Sequence, residues 1–330
     1  MEDERRRGKR RRAGKESKGG IPVYVHVIVI ALILGVIAFS VFRLVRWNMG
    51  TVRTEGVVEG DFEVEVEDQV FLLPEDKKAL HEDDGVETIL FLGNDILTFY
   101  NNDEGFVEQV GQKTGARVYK GGFTGSTVAN KNAQYDESFP MDAFSFYNVS
   151  RSIVSRDFAL MEEAAGLTDD PTYANTTKLL EDLDMSSVDT LVIFYDAQDY
   201  IKLRIGMNPD DDSDPITYSG ALYAGIRLLQ DKYPFIRIVC MSFPMCYAYN
   251  SEGAIVSGDM SDFGNGRLTT YRQFMIDVSG ATGVTFIDNY YGTIHEDNSD
   301  EWLLDNIHVN AACNEHMAEH FVSVVYRGEY

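Results

Sequence analysis

Cysteine is scarce in this chain: Cys240, Cys246 and Cys313 are the only three among 330 residues. So few, and odd in number, they exclude a scaffold built on disulfides and leave a Cys240–Cys246 pair as the one bridge to consider. Basic residues are also short, with 29 Lys and Arg against 53 Asp and Glu, a net charge of −24. That deficit argues against a nucleic-acid partner, which needs lysine and arginine to displace counterions from phosphates. There is no internal repeat and no long low-complexity tract. What is present, 44% hydrophobic and 25% charged residues, rules out wholesale disorder. The length suits one large or two ordinary domains with a sizeable core.

The charge is unevenly placed. Residues 1–20 carry nine basic and four acidic side chains, whereas residues 48–330 carry 18 basic and 49 acidic, a net charge of −31. Between them runs IPVYVHVIVIALILGVIAFSVF, residues 21–42, without a formal charge. A helix of that length rises about 33 Å, enough to cross a hydrocarbon core of about 30 Å. Trp47 follows where an interfacial anchor would sit, and the positive-inside rule puts the N-terminus in the cytoplasm. The apolar run is too long for a cleaved signal peptide and no small-x-small site follows it. His26 reads as a polar residue near the cytoplasmic end of the span. The expected organisation is a basic cytoplasmic tail (1–20), a transmembrane signal anchor in membrane lipid (21–47), an extracytoplasmic stalk (48–86) and a folded domain (87–330). Single-pass anchoring in a cell membrane with an outer domain fits a bacterial envelope protein. Sequons at Asn148 and Asn175 matter only in a host that glycosylates secreted proteins.

From Glu87 onward, short apolar, β-branched runs alternate with longer helical ones. Strands are expected at 88–93, 116–120, 189–195, 235–241 and 284–288, each apolar enough to be covered on both faces. Helices are expected near 103–113, 151–164, 174–184, 217–233, 267–280 and 310–326. Such alternation implies an α/β fold with one doubly wound, five-stranded parallel sheet between two helical layers. Ligands in such sheets bind beyond the carboxyl ends of the strands. Those ends read Gly93-Asn94-Asp95, then Gly121-Gly122-Phe123-Thr124-Gly125-Ser126-Thr127, then Asp196-Ala197-Gln198-Asp199, and the loop before the last helix holds Asp305-Asn306-Ile307-His308. Any one of these is a turn or cap that Asp and Asn favour anyway; four at successive strand ends suggest a site.

In order and spacing these blocks resemble the SGNH (GDSL-type) hydrolase family, over roughly residues 87–330. FLGNDIL lines up with the family's nucleophile block, GGFTGSTVA and IFYDAQDY with its two oxyanion blocks, and LLDNIHVN with its Asp-x-x-His. FYNVSRSIVSRDFAL also looks like helices of bacterial, membrane-anchored members. The resemblance implies an ester hydrolase fold with no cofactor and no metal. It places Asp95 at the nucleophile position, Gly125 and Gln198 at the oxyanion positions, His308 as base and Asp305 as its orienting acid. Four positions depart from the pattern, the first being Asn94 where the family has aspartate before its serine. Asp95 stands where the family has serine, Asp196 where it has glycine, and Gln198 where it has asparagine. A carboxylate attacks an ester poorly and holds a neighbouring histidine as imidazolium, which is no base. A negative Asp196 would oppose charge developing in an oxyanion hole.

Three readings follow. The domain is a catalytically degenerate esterase fold that binds an acylated envelope glycan; or it is an active esterase or acyl-transferring enzyme with a changed mechanism, Asp95 serving as base on a water or Ser126 or Thr124 as nucleophile; or Asp95, Asp196, Asp199 and Asp305 form a divalent-cation site. Lesser signals have bland readings. His316-Met317-Ala318-Glu319-His320 matches a zinc signature but reads as the polar face of a terminal helix. The Asp210–Asp214 run lacks the glycine and terminal glutamate of a calcium loop and reads as a solvated loop. Tyr247, Tyr249, Tyr290, Tyr291 and Trp302 are candidates to line a sugar cleft.

Overall fold

A computed structural model describes residues 66–81 and 84–329. The expected tail, the membrane anchor at 21–47 and most of the stalk lie outside the described residues. Among the described residues no helix is long and apolar enough to cross a membrane.

Five parallel strands form the sheet: β1 (Thr88–Gly93), β2 (Arg117–Gly122), β3 (Thr190–Phe194), β4 (Arg237–Met241) and β7 (Thr285–Ile287), in the order β2-β1-β3-β4-β7. Every residue of TILFLG and of TLVIF is buried, as the continuous apolar runs require of strands covered on both sides. The step from β1 to β2 runs one way along the sheet, and the steps β3 to β4 to β7 run the other. Right-handed crossovers therefore put helix Phe106–Thr114 on one face. They put helices Phe146–Ser155, Tyr218–Lys232 and Leu268–Thr282 on the other. Helix Ala311–Val322 packs on Phe106–Thr114 and completes the first layer. The expected α/β architecture is present.

Several boundaries move. The second strand, expected at 116–120, runs on to Gly122. The helix expected at 151–164 is two helices, Phe146–Ser155 and Ala159–Gly166, broken at Arg156 with φ +56°. The first starts earlier because the Ser145 hydroxyl caps it by accepting from the Asn148 amide at 3.2 Å. The last α-helix stops at Val322 and passes into a π turn, Ser323–Arg327. A small antiparallel hairpin, β5 (Tyr247–Tyr249) with β6 (Ile255–Ser257), was not legible in the sequence.

The described end of the expected stalk is part of the folded unit. Gln69 exchanges backbone hydrogen bonds of 2.9 and 2.8 Å with Phe286 on the edge strand β7. Asp68 accepts from His320 at 2.8 Å, and Glu67 accepts from Arg272 at 2.7 Å. Glu67, Asp68 and Gln69, placed in the expected stalk, thus bond to helix Leu268–Thr282, helix Ala311–Val322 and β7. The pair left open in the sequence, Cys240 and Cys246, is not bridged; all three cysteines are free and buried.

Candidate active site

The strand order reverses direction between β1 and β3, and the carboxyl ends of these two neighbours define where a ligand would sit. Gly93 ends β1 against its neighbour so closely that a Cβ there would lie 2.0 Å from the Phe194 carbonyl oxygen. Backbone cannot swing aside as a side chain can. Gly93→Ala is expected to cost about 1–3 kcal/mol, read as a lower thermal midpoint; an unchanged melt would show that the two strand ends are looser than described.

Asn94 is fully buried and ties three segments together. Its Nδ2 donates to Asp196 Oδ1 at 2.7 Å and to the Ser126 carbonyl at 3.0 Å, while its Oδ1 accepts from the Asp196 amide at 2.9 Å. Asp95 then opens a single helical turn, Asp95–Thr98, closed by bonds from the Leu97 and Thr98 amides to the Asn94 carbonyl. The turn aims the Asp95 carboxylate at the loop after β2. There the Gly125 amide donates to Asp95 Oδ2 at 2.6 Å. Gly125 adopts φ +71°, a conformation glycine takes without steric cost. Around it the loop is held by Lys202 Nζ on the Gly125 carbonyl and the Tyr173 hydroxyl on the Thr124 carbonyl. Further along, Asp199 accepts from the Val128 and Ala129 amides at 2.7 and 3.0 Å.

His308 enters from the loop before the last helix. Its Nδ1 meets Asp305 Oδ2 at 2.6 Å, and Asp305 Oδ1 accepts the Ile307 and His308 amides at 2.8 and 2.7 Å, fixing the ring. Its Nε2 faces Asp95 Oδ1 at 3.8 Å. The ring of Phe99 stacks on the imidazole with centroids 4.3 Å apart.

The electrostatics follow from this arrangement. Asp95 raises the His308 pKa most, Asp305 adds to it and burial opposes, leaving the imidazole pushed up to about 9. At neutral pH it is an imidazolium between two carboxylates. Burial, reinforced by the charge on Asp95, pushes the Asp196 carboxyl far above the ordinary carboxylate value. The full negative charge expected at Asp196 is thus reduced, since that group holds its proton where other carboxyls have lost theirs. Burial lowers the Lys202 ammonium, while Asp95 and Asp196 pull it back up.

A pH prediction follows. The His308 pKa lies above its ordinary 6.5, so the stabilisation is complete below about 6.5 and is lost as pH rises through about 9. A difference of that size is about 3 kcal/mol, reduced to about 1–2 by solvent screening of a partly exposed ring. The melting temperature of wild type relative to His308→Ala should fall between pH 6.5 and 9.5. A gap that is constant over this range would rule out the charged triad.

The structure therefore brings Asp95, Gly125, Asp305 and His308 together. Gln198 lies at the end of β3, where its amide N–H donates to Asp196 Oδ1 at 3.1 Å, but no hydrogen bond among the described residues joins its side chain to Asp95, Gly125 or His308. The four carboxylates of the cation reading are committed separately: Asp95 to the Gly125 amide, Asp199 to the Val128 and Ala129 amides, Asp305 to His308 and Asp196 to Asn94. Among the described residues no group of three or more His, Cys, Asp or Glu is placed to hold a metal ion. Ser126 is fully buried, and Thr124 Oγ1 is paired with Thr98 Oγ1 at 2.8 Å.

The lesser signals disperse in the same way. His316 packs on Trp302 and His320 pairs with Asp68. Tyr290 is buried and Tyr291 lies under Arg272, so of the five aromatic candidates only Tyr247 and Tyr249 border a groove with Asp305. The sequon residue Asn148 is buried and bonded to Asn130 and Asp142. Asn94 has no role of its own in the sequence pattern, and Lys202 is not singled out there. A signal existed for the second, because Gln198 and Lys202 are spaced i, i+4 and share a helical face.

Solved structures share this architecture. A protein from Lactobacillus plantarum matches at a TM-score of 0.50 and 16% identity, over 73% of this chain and 98% of its own. A structure described as a possible lipase from Chitinophaga pinensis DSM 2588 matches at 0.50 and 12% identity, over 74% and 99%. A presumed GDSL-like lipase from Bacteroides ovatus ATCC 8483 gives 0.45 and 12%, over 73% and 99%. No family model and no curated protein matches the chain by sequence. At these identities the likeness is one of fold.

Proposed function

We propose that this chain is a membrane-anchored, extracytoplasmic SGNH-hydrolase-like protein that has given up serine-type ester hydrolysis and holds an acylated cell-envelope glycan in its cleft. One observation carries the first half. The Gly125 amide, the donor expected to receive an oxyanion, is occupied by the Asp95 carboxylate at 2.6 Å. The residue that replaced the nucleophile thus fills the hole as well, and it holds the would-be base as a cation. Loss of one oxyanion donor costs about 10²–10³ in rate. Loss of the nucleophile together with it leaves no route for acyl transfer of the family type.

The glycan half is supported by a groove of about 380 Å³ beside Asp305, lined by Tyr247, Tyr249, Ile255, Leu304 and Asn306 among others. Tyr249 is 60% exposed, so its ring is available for stacking. Membrane anchoring rests on the uncharged run at 21–42 and the basic residues before it. The test uses the full chain in detergent with O-acetylated and de-O-acetylated wall glycan fragments. Retention of the acetylated fragments with their acetyl groups intact, weakened in Tyr249→Ala, is the expected result. Release of acetate, or equal retention of the two fragments, would overturn the reading.

A further inference from the structure

We infer that Asp95 is a nucleophile toward saturated carbon, and that Asp95, His308, Asp305 and the Gly125 amide together carry out a two-step hydrolytic displacement on an alkyl group bearing a good anionic leaving group. The inference rests on the reading above that serine-type acyl chemistry is lost, and it gives the same residues a different reaction. A carboxylate is a weak nucleophile at an ester carbonyl, but carboxylates do form covalent intermediates by displacement at saturated carbon.

The two oxygens of Asp95 are not equivalent. Oδ2 accepts the Gly125 amide at 2.6 Å. Oδ1 takes no backbone donor among the described residues and lies 3.8 Å from His308 Nε2, beyond hydrogen-bond distance. Oδ1 is therefore the oxygen left free to attack. In the first step it attacks the carbon of R–X; the C–O bond forms, the C–X bond breaks, and X departs with the bonding pair. Of the charged donors near Asp95, Lys202 Nζ is directed at the Gly125 carbonyl, while the His308 imidazolium faces Oδ1 at 3.8 Å and offers its positive charge to a departing anion. An anionic leaving group, halide or sulfate, suits that cation.

The product is an alkyl ester of Asp95 whose carbonyl oxygen is Oδ2, already on the Gly125 amide. Esterification also removes the negative charge that contributes most to holding His308 protonated. Burial then lowers the imidazole toward its ordinary range, so the obstacle to general-base action is removed by the first step. In the second step neutral His308 takes a proton from water, and the hydroxide adds to the Asp95 carbonyl carbon. The oxyanion on Oδ2 is met by the Gly125 amide. Collapse expels the alkoxide, which takes the proton from His308 and leaves as the alcohol ROH, and the proton of the new Asp95 carboxyl passes to solvent. The sum is R–X plus water giving ROH, X⁻ and H⁺.

The test takes the full chain in detergent with 1-bromobutane and, separately, sodium butyl sulfate. In His308→Gln the first step survives and the second is slowed by about 10²-fold, the usual contribution of a general base. The expected result is one butyl group per chain, located on Asp95 by peptide mass mapping, in His308→Gln but not in Asp95→Asn. Wild type should release 1-butanol without accumulating ester, and a single turnover in ¹⁸O-water should place the label in the Asp95 carboxylate. Butylation confined to cysteines, butylation unchanged in Asp95→Asn, or none at Asp95 in His308→Gln with either probe would overturn the inference. None of these outcomes bears on ester hydrolysis, so a failure here is distinguishable from a failure of the proposed function.

Discussion

Arg272→Ala is expected to destabilise the domain by about 3–5 kcal/mol, the cost of leaving a buried charge without its partner. Arg272 projects from helix Leu268–Thr282 and is 4% exposed, while Asp288, just past β7, is fully buried. The guanidinium grips that carboxylate with both ends of its fork, Nε on Oδ1 at 3.0 Å and Nη2 on Oδ2 at 2.6 Å. The same Nη2 reaches Glu67 at 2.7 Å, and the Tyr291 ring covers the guanidinium 4.4 Å away. Removing the arginine strands Asp288 and takes away the ion pair that holds the Glu67 side chain. For a domain of this size the change corresponds to a drop of roughly 10 °C in the thermal midpoint. Arg272→Lys keeps the charge but not the two-pronged geometry and should fall between the two. A midpoint for Arg272→Ala within two or three degrees of wild type would mean that water, not the arginine, satisfies Asp288.

The second large effect is a gain. Asp95→Ser, combined with Gln198→Asn, is expected to raise hydrolysis of p-nitrophenyl acetate at least about 10²-fold over the same variant carrying His308→Ala. Serine frees the Gly125 amide, removes the charge that holds His308 as a cation, and supplies a hydroxyl for that histidine to deprotonate. The Asp305–His308 bond of 2.6 Å and the loop around Gly125 are already in place. Asparagine at 198 returns the shorter amide of the family pattern. Asp196 remains, and burial, the largest cause of its raised pKa, still reduces its charge at neutral and lower pH. Flat activity in this variant would show that the backbone of the cleft, and not only its side chains, has departed from catalytic geometry.

What could be read from the sequence, and what could not, divides along one physical line. Strand positions came from local apolar runs, so β1 was expected with its observed limits and β3 and β4 within two residues. Asp95, Gly125, Asp305 and His308 were legible because each follows a strand or precedes a helix at a recognisable spacing. The Asn94–Asp196 bond was not, since it exists only because β1 and β3 are neighbours in the sheet, and their residues are 102 positions apart. The fastening of residues 66–71 was hidden for the same reason. Alternating acidic and apolar residues at 61–71 suggest a strand, but nothing local says that Glu67 and Asp68 find Arg272 and His320 more than 200 residues away. The helix break at Arg156 shows a different limit. An apolar pattern continues through a residue whose φ of +56° interrupts the backbone, and side-chain periodicity does not register that reversal.

The negative charge of the chain is concentrated at the site in a specific way. Two carboxylates replace a serine and a glycine at adjoining strand ends, and the structure treats them differently. Asp95 is half of an ion pair with His308, on the Gly125 amide. Asp196 is buried beside it and carries its proton to higher pH. In the proposed reading, one carboxylate stands at the position of the nucleophile and on the amide meant for the oxyanion.

The most direct measurement is p-nitrophenyl acetate hydrolysis by the full chain in detergent, wild type against His308→Ala, with fluorophosphonate labelling of both. With Asp95 on the Gly125 amide, the two proteins should hydrolyse the ester at the same background rate and neither should be labelled. Hydrolysis by wild type well above His308→Ala, with a serine carrying the fluorophosphonate, would contradict the loss of serine-type ester hydrolysis.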